Sequence, residues 1–149
     1  MDRKIGIVLE ILTDAAIAIG VACMFLLPGM IRKIVPEHID YVALIYVFMY
    51  VIALLSFWFL FELRATTVSV RRGNPFTVKT VRNLLRMGIA CGAISTILLI
   101  AAVLSPDYIV NIAAGFLCLT SLLASLSAFV CSFLFKRAVK YREDNELTI

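Results

Sequence analysis

The sequence predicts an all-α, polytopic membrane protein, a bundle of four transmembrane helices with cytosolic extensions of helices 2, 3 and 4. The chain of 149 residues is 62% hydrophobic and has a mean hydropathy of +1.01, which is too apolar for a soluble domain of this size. Its apolar residues form four stretches, each close to or above the roughly 20 residues that a helix needs to cross a membrane. We therefore expect a single transmembrane domain over residues 1–149, without a separate soluble domain and without enzymatic activity.

The positions of the basic residues predict the orientation of these helices. All but two of the 14 Lys and Arg residues precede the first apolar stretch, separate the second from the third, or follow the fourth. The exceptions are Arg32 and Lys33. Because cytoplasmic loops retain Lys and Arg, we expect a multi-pass protein of the cell membrane with both termini in the cytosol. The net charge of +4 then reflects topology and contact with the anionic lipid bilayer, and we expect no direct binding of nucleic acid.

The ends of the first two helices are predicted from the length of the apolar stretches and from the positions of Gly and Pro. Helix 1 is predicted to span the membrane at about 5–27 and to end at Pro28–Gly29, a sequence typical of a helix end. Helix 2 is predicted to span the membrane at about 41–61. Because neither Gly nor Pro follows until Gly73, this helix is expected to extend into the cytosol as far as residue 72.

The last two helices are predicted to form an antiparallel hairpin. Asn74 is suited to cap a helix and Pro75 to occupy its first position, so an amphipathic helix from residue 75 should lead into the third span at about 87–104. The short segment Ser105–Pro106–Asp107 then turns the chain into the fourth span at about 109–135. Residues 136–149 form a cytosolic tail that is expected to stay helical as far as Tyr141.

Small residues indicate close helix packing. Gly88 and Gly92 form a GxxxG pair, which lets a neighbouring backbone approach closely. In helix 4, small residues recur at alternating steps of four and three, which predicts a seam of helix–helix contact: Ala114, Cys118, Ser121, Ser125, Ala128 and Ser132. The alternative is a polar conduction path lined by the serines.

Two acidic residues interrupt the first apolar stretch. Glu10 and Asp14 are four residues apart and therefore share one helix face. A charge at the centre of a bilayer costs about 2.5–3.5 kcal/mol, so both should face protein or water. We expect Glu10 to form a salt bridge that pins helix 1 to helix 3 or helix 4, through Arg86 or Lys136. Asp14 is expected either to hydrogen-bond helix 3 or to be a proton or cation site; the candidate hydrogen-bond partners are Ser95 and Thr96.

The cysteines do not have the spacing of a metal site. All four lie inside the apolar stretches, none forms a CxxC pair, and the sequence contains a single His. We expect neither a metal ion nor a cofactor.

Four short sequence motifs are similar to motifs of a known protein family. They are GNPFT at 73–77, RNLLRMG at 82–88, FLFKRAV at 133–139 and EDNELTI at 143–149. With them the chain resembles, over nearly its whole length, the YoaS-like small bacterial membrane proteins, a family of unknown function with four transmembrane helices. Members are often encoded beside a small Cro/C1-type helix-turn-helix regulator, which implies a membrane partner for a transcription factor. The resemblance implies no catalytic residues.

Three functional hypotheses follow. The first is an interaction or regulatory protein that binds a cytosolic partner through a basic stripe and an apolar C-terminal end: Lys79, Arg82, Arg86, Leu147 and Ile149. The second is a small transporter or channel that uses Glu10 and Asp14 and works as a homo-oligomer. The third is immunity-type protection against a membrane-active toxin.

Overall fold

Four long helices make up the regular structure of the described residues. The computed structural model describes residues 2–34, 42–72, 76–104 and 108–147. Helix α1 is Asp2–Ile34, α2 is Val42–Arg71, α3 is Val78–Leu104 and α4 is Tyr108–Leu147. Each contains a segment long and apolar enough to cross a membrane. At 1.5 Å per residue the shortest, α3, is about 40 Å long, so all four exceed a hydrocarbon core of about 30 Å. The predicted class, all-α with four membrane-spanning helices, is confirmed.

The helices pack in chain order and alternate in direction. Ser95 contacts Cys118 while Val81 contacts Ser132, so α3 and α4 are antiparallel as predicted. Among the described residues, α1 packs against α2, α2 against α3 and α3 against α4, whereas α1 approaches neither α3 nor α4. The four helices therefore form an open row, and α1 has α2 as its neighbour within the chain.

Helix α1 continues past the point where the sequence predicted its end. Pro28 lies inside the helix, which runs on to Ile34. Proline removes one backbone donor, but inside an apolar segment the helix is the conformation that keeps most of the other backbone groups bonded. The hydroxyl of Tyr46 donates to the Pro28 carbonyl at 3.4 Å and ties this part of α1 to α2. The prediction that α1 ends at Pro28–Gly29 is therefore wrong.

The start of α3 also differs from the prediction. Its cap is Thr77, whose Oγ1 accepts a hydrogen bond from the Thr80 backbone N–H at 3.2 Å and whose carbonyl accepts one from Val81 at 3.1 Å. Phe76 precedes the helix and its ring packs against that of Phe135, with 5.2 Å between centroids. The helix therefore begins at Val78 and not at residue 75, because Thr77 can cap the first turn while Phe76 fixes the entry of the chain. The predicted cap, Asn74, lies outside the described residues, as do Pro75 and Ser105–Pro106–Asp107.

Helices α2 and α4 both continue past the last residue of their predicted spans, and α4 is longer than expected. Helix α2 reaches Arg71, and the N–H of Arg72 still donates to the Val68 carbonyl at 3.1 Å. Helix α4 does not end near Tyr141 but continues to Leu147. No Gly or Pro occurs between Lys136 and Leu147, so nothing in this segment interrupts the helix.

Candidate functional site: the charged end of the helix row

Glu10 and Asp14 of α1 are each paired with an arginine of α2. Arg64 binds Asp14 through two hydrogen bonds, from Nε to Oδ1 and from Nη2 to Oδ2, the second at 3.3 Å. Arg71 Nη1 donates to Glu10 Oε2 at 2.6 Å. Gly6 allows the two helices to approach here, because a Cβ at this position would lie 2.9 Å from the Cα of Arg71. The acidic pair therefore fixes α1 to α2 at the end where α1 begins.

The partners that the sequence suggested for these acids are wrong. Arg86 and Lys136 were expected to meet Glu10, but α1 does not reach the helices that carry them. The hydroxyls of Ser95 and Thr96 were candidates for Asp14, and they bond instead to the carbonyls of Cys118 and Gly92. The order of the helices in the row decides these pairings, and a single sequence does not contain that order.

A buried carboxylate, Glu62, joins α2 to α3. Its residue is 9% exposed, and its Oε1 accepts hydrogen bonds from Arg86 Nη1 at 3.0 Å and from Trp58 Nε1 at 3.4 Å. The amide nitrogen of Asn83, in the orientation that its partners require, donates to Glu62 Oε2 and to the Lys79 carbonyl, both at 3.1 Å. Both carboxylate oxygens are therefore bonded, and α3 supplies two of the donors.

Sequence reasoning missed this cluster. The predicted span of helix 2 ends just before Glu62, to which no role was given, and Arg86 was expected to meet Glu10 or a cytosolic partner. Two signals were present in the sequence. Trp58 lies four residues before Glu62 and Asn83 three residues before Arg86, so each pair shares a helix face.

The three ion pairs lie at one end of the helix row. They involve the first half of α1, the last part of α2 and the first part of α3, and they mark the edges of segments without charge. One such segment begins at Ala15 in α1, one ends at Phe61 in α2, and one begins at Met87 in α3. Pairing lowers the cost of a charge at the edge of an apolar span. We call this end, with its ion pairs and the basic residues around it, the charged end.

The pairing of Glu10 and Asp14 bears on the transport hypothesis. Each carboxylate already has a guanidinium as its counter-ion. A metal cation that bound there would have to displace an arginine or be repelled by it. The geometry therefore favours a structural role for the acidic pair.

The small residues of α4 lie at the contact with α3. All six members of the predicted seam are buried or half-buried, while most residues beside them in α4 are exposed. Three hydroxyls donate across the contact: Ser125 to the Gly88 carbonyl at 2.8 Å, Ser132 to the Val81 carbonyl at 3.1 Å, and Ser95 to the Cys118 carbonyl at 3.1 Å. Hydroxyls bound to carbonyls of the adjacent helix fit helix packing better than a water-lined path.

The two glycines of the GxxxG pair face α4. A Cβ at Gly88 would lie 3.2 Å from the ring of Phe129, and one at Gly92 would lie 3.3 Å from Ser125 Oγ. Both distances are tight, so larger residues here would push the helices apart. A step of four residues within a helix keeps both glycines on one face, so both can meet the same neighbouring helix.

The basic stripe predicted on α3 is divided by the structure. All three of these side chains are exposed, but Arg86 is bonded to Glu62, whereas Lys79 and Arg82 form no ion pair among the described residues. Arg82 instead lies at a groove between α3 and α4, together with three basic residues of α4: Lys136, Arg137 and Lys140. The side chain of Leu147 and all of Ile149 lie outside what the structure describes.

Metal ligands are not gathered in the described part of the chain. Within residues 2–34, 42–72, 76–104 and 108–147, no three His, Cys, Asp or Glu side chains come close enough to hold an ion. The four cysteines, all in this part, are free thiols; Cys91 is buried, and Cys23 and Cys131 are exposed.

Comparison with protein-family models matches residues 26–149 to a family described as "Protein of unknown function (DUF2975)". The matched segment contains the Glu62 cluster and the α3–α4 seam, whereas Glu10 and Asp14 precede it. Comparisons with curated proteins and with solved structures found no match.

Replacing Arg86 tests the Glu62 cluster. We expect Arg86→Gln to lower the free energy of unfolding in detergent by about 1–2 kcal/mol, because it removes a charged donor from a buried carboxylate. Adding Glu62→Gln should restore part of the loss in the double variant, since the unpaired charge is then removed. The matched control is Arg82→Gln, one helical turn earlier, where the side chain is exposed and forms no ion pair among the described residues. Equal losses for Arg86→Gln and Arg82→Gln would contradict the assignment.

Replacing one of two glycines by leucine tests the close contact between α3 and α4. Gly88→Leu should lower the free energy of unfolding by about 1–3 kcal/mol, because the new side chain must displace Phe129. Gly115→Leu is the control, since nothing lies within 4 Å of a Cβ placed there. Thermal unfolding in detergent measures both. A seam at Gly88 is ruled out if the two variants unfold at the same temperature.

Proposed function

The chain belongs to the DUF2975 family of proteins of unknown function, and from its charged end we propose that it is a regulatory membrane protein that holds a cytosolic protein partner. Four helices able to span a membrane make it an integral membrane protein. The partner, the regulatory role and the orientation with both termini in the cytosol of the cell are parts of the proposal.

The observation that carries the proposal is the continuous C-terminal extension of α4. The helix runs without interruption to Leu147, which is 12 residues beyond the last apolar residue of its span, Phe135, or about 18 Å. Most of the described side chains in this extension are exposed. A charged helix of this length is not needed to cross a bilayer, and a continuous exposed helix is a suitable surface for another protein.

Two residues of α3 support the same surface. Lys79 and Arg82 are exposed at the end of α3 from which the α4 extension emerges. Arg86 is removed from the proposed partner site because it is bonded to Glu62. Leu147 and Ile149 stay in the proposal as an apolar contact at the C-terminal end.

The resemblance to YoaS-like proteins suggests the identity of the partner. It implies a small helix-turn-helix regulator encoded beside the membrane protein. A regulator held at the membrane would be kept away from its DNA sites, so its release would change transcription. In this scheme the membrane protein itself does not contact DNA.

The transport alternative has less support from the contacts. It relied on Glu10 and Asp14 as ion sites and on the serines of α4 as a polar path. The carboxylates are paired with Arg71 and Arg64, and Ser125 and Ser132 donate to carbonyls of α3. Protection against a toxin would need no particular site, and no contact among the described residues favours it.

Localisation of a fluorescently tagged regulator tests the proposal. In cells that also produce the wild-type chain, we expect most of the regulator at the membrane. Deleting residues 143–149, or combining Lys79→Gln with Arg82→Gln, should release it several-fold into the cytosol, because each change removes part of the surface. Raising the salt concentration should weaken the wild-type complex in vitro, since exposed charges are screened.

The control for this test is Lys33→Gln, which removes an exposed cation near the opposite end of α1. It should leave the regulator at the membrane. A regulator that stays at the membrane with both altered chains, or that is cytosolic with wild type, would contradict the proposal.

A further inference from the structure

An open groove lies between the first part of α3 and the last part of α4. Its floor is apolar and is formed by residues of both helices: Val78, Val81, Leu85, Phe129 and Phe133. Much of this floor is uncovered, since Val78 is 58% and Phe133 56% exposed. Covering exposed apolar surface with another apolar group lowers the free energy, so a hydrocarbon chain is a suitable occupant.

Basic side chains surround the apolar floor. They are Arg82 on α3 and Lys136, Arg137 and Lys140 on α4, and Glu143 is the one acid among the lining residues. Arg82, Lys136 and Lys140 form no ion pair within the described residues. The guanidinium carbon of Arg137 is 4.8 Å from the centre of the Phe133 ring, so a cation lies directly over the floor. The groove therefore combines an apolar surface with an excess of positive charge.

The groove also lies at the level where α3 changes from charged to apolar residues. Val78, Val81 and Leu85 precede Arg86, and the charge-free part of α3 begins at Met87. At the other end of the groove, Phe129 packs on Gly88, which is already within that charge-free part. In a membrane protein this transition marks the boundary between hydrocarbon and headgroups.

We infer that the groove binds an anionic phospholipid from the surrounding leaflet. Its phosphate would lie among Arg82, Lys136 and Lys140, and an acyl chain would cover Leu85 and Phe129. Basic pockets between transmembrane helices are a recurring type of site for anionic headgroups. A lipid fits better than a cytosolic peptide, because the floor continues into the charge-free span, where a peptide backbone would lose its hydrogen bonds to water. This inference does not depend on the proposed partner.

Native mass spectrometry of the full chain in detergent tests the inference. Phosphatidylglycerol is the probe, and phosphatidylcholine is the zwitterionic comparison. Each Lys or Arg near an anionic lipid contributes about a factor of five in affinity, so Lys136→Gln with Lys140→Gln should weaken phosphatidylglycerol binding about 25-fold. Phosphatidylcholine should bind weakly to both proteins.

The matched control is Lys4→Gln with Arg72→Gln. It removes two exposed cations from the same end of the protein but away from the groove, and it should change the affinity less than twofold. Circular dichroism establishes that each variant is folded. If the α4 variant does not fold, Arg82→Gln on the α3 side replaces it, with an expected loss of about fivefold.

Four results would overturn the inference. If the groove variant and its control lost the same affinity for phosphatidylglycerol, the overall positive charge of this end of the protein would attract the lipid, and not the groove. Equal binding of the two lipids would exclude recognition of an anionic headgroup. Competition by millimolar inorganic phosphate would indicate a site for the free anion. A dimer in the same spectra that excludes lipid would indicate that a second copy covers the groove.

Discussion

The rest of the structure depends on how charged groups at the edges of the apolar spans are paired. Glu62 shows this constraint, because its carboxylate accepts hydrogen bonds from Arg86 and Asn83 of the next helix. A charge at the edge of an apolar span is costly unless another group neutralises it and completes its hydrogen bonds. The same constraint is met between α1 and α2, where Asp14 and Glu10 pair with Arg64 and Arg71. These pairs link the first three helices at one end, and so they help to determine which helices are neighbours.

The contact between α3 and α4 is of a different kind. It has no ion pair among the described residues and depends on small side chains that let the backbones approach. Serine hydroxyls on one helix reach carbonyls of the other, as Ser125 does to Gly88, so their polarity is satisfied within the pair. Because α4 contacts α3 alone among the described residues, its opposite face and most of its C-terminal extension are exposed. The groove and the proposed partner surface both result from that arrangement.

Much of the fold could be predicted from the sequence, because the signals are long and periodic. Apolar length predicted the four helices, and steps of three and four residues predicted the face of α4 that meets α3. Helix ends were predicted less well. Pro28 was expected to stop α1, but inside an apolar segment a helix that continues leaves fewer backbone groups unbonded than one that ends there. The start of α3 depended on Thr77 and on the contact of Phe76 with Phe135, and a contact between distant residues cannot be read from local preferences.

The charged partners were harder to predict than the packing face. Glu10 was expected to reach α3 or α4 because a closed arrangement of helices was assumed, whereas the row places α1 beside α2 alone among the described residues. The role of Glu62 was missed because two of its three donors, Arg86 and Asn83, lie on a different helix. Periodicity shows which face of a helix is buried, but it does not show which helix covers that face.

The proposal of a cytosolic partner assumes that the charged end of the helix row faces the cytosol. Cysteine labelling in intact cells tests this assumption most directly. A single cysteine is placed at position 38 or at position 74, in a chain without its four native cysteines, and is exposed to a membrane-impermeant maleimide. The account predicts labelling at position 38 in intact cells and at position 74 only after the membrane is opened, because Lys and Arg are retained on the cytosolic side. Labelling of position 74 but not of position 38 in intact cells would contradict it.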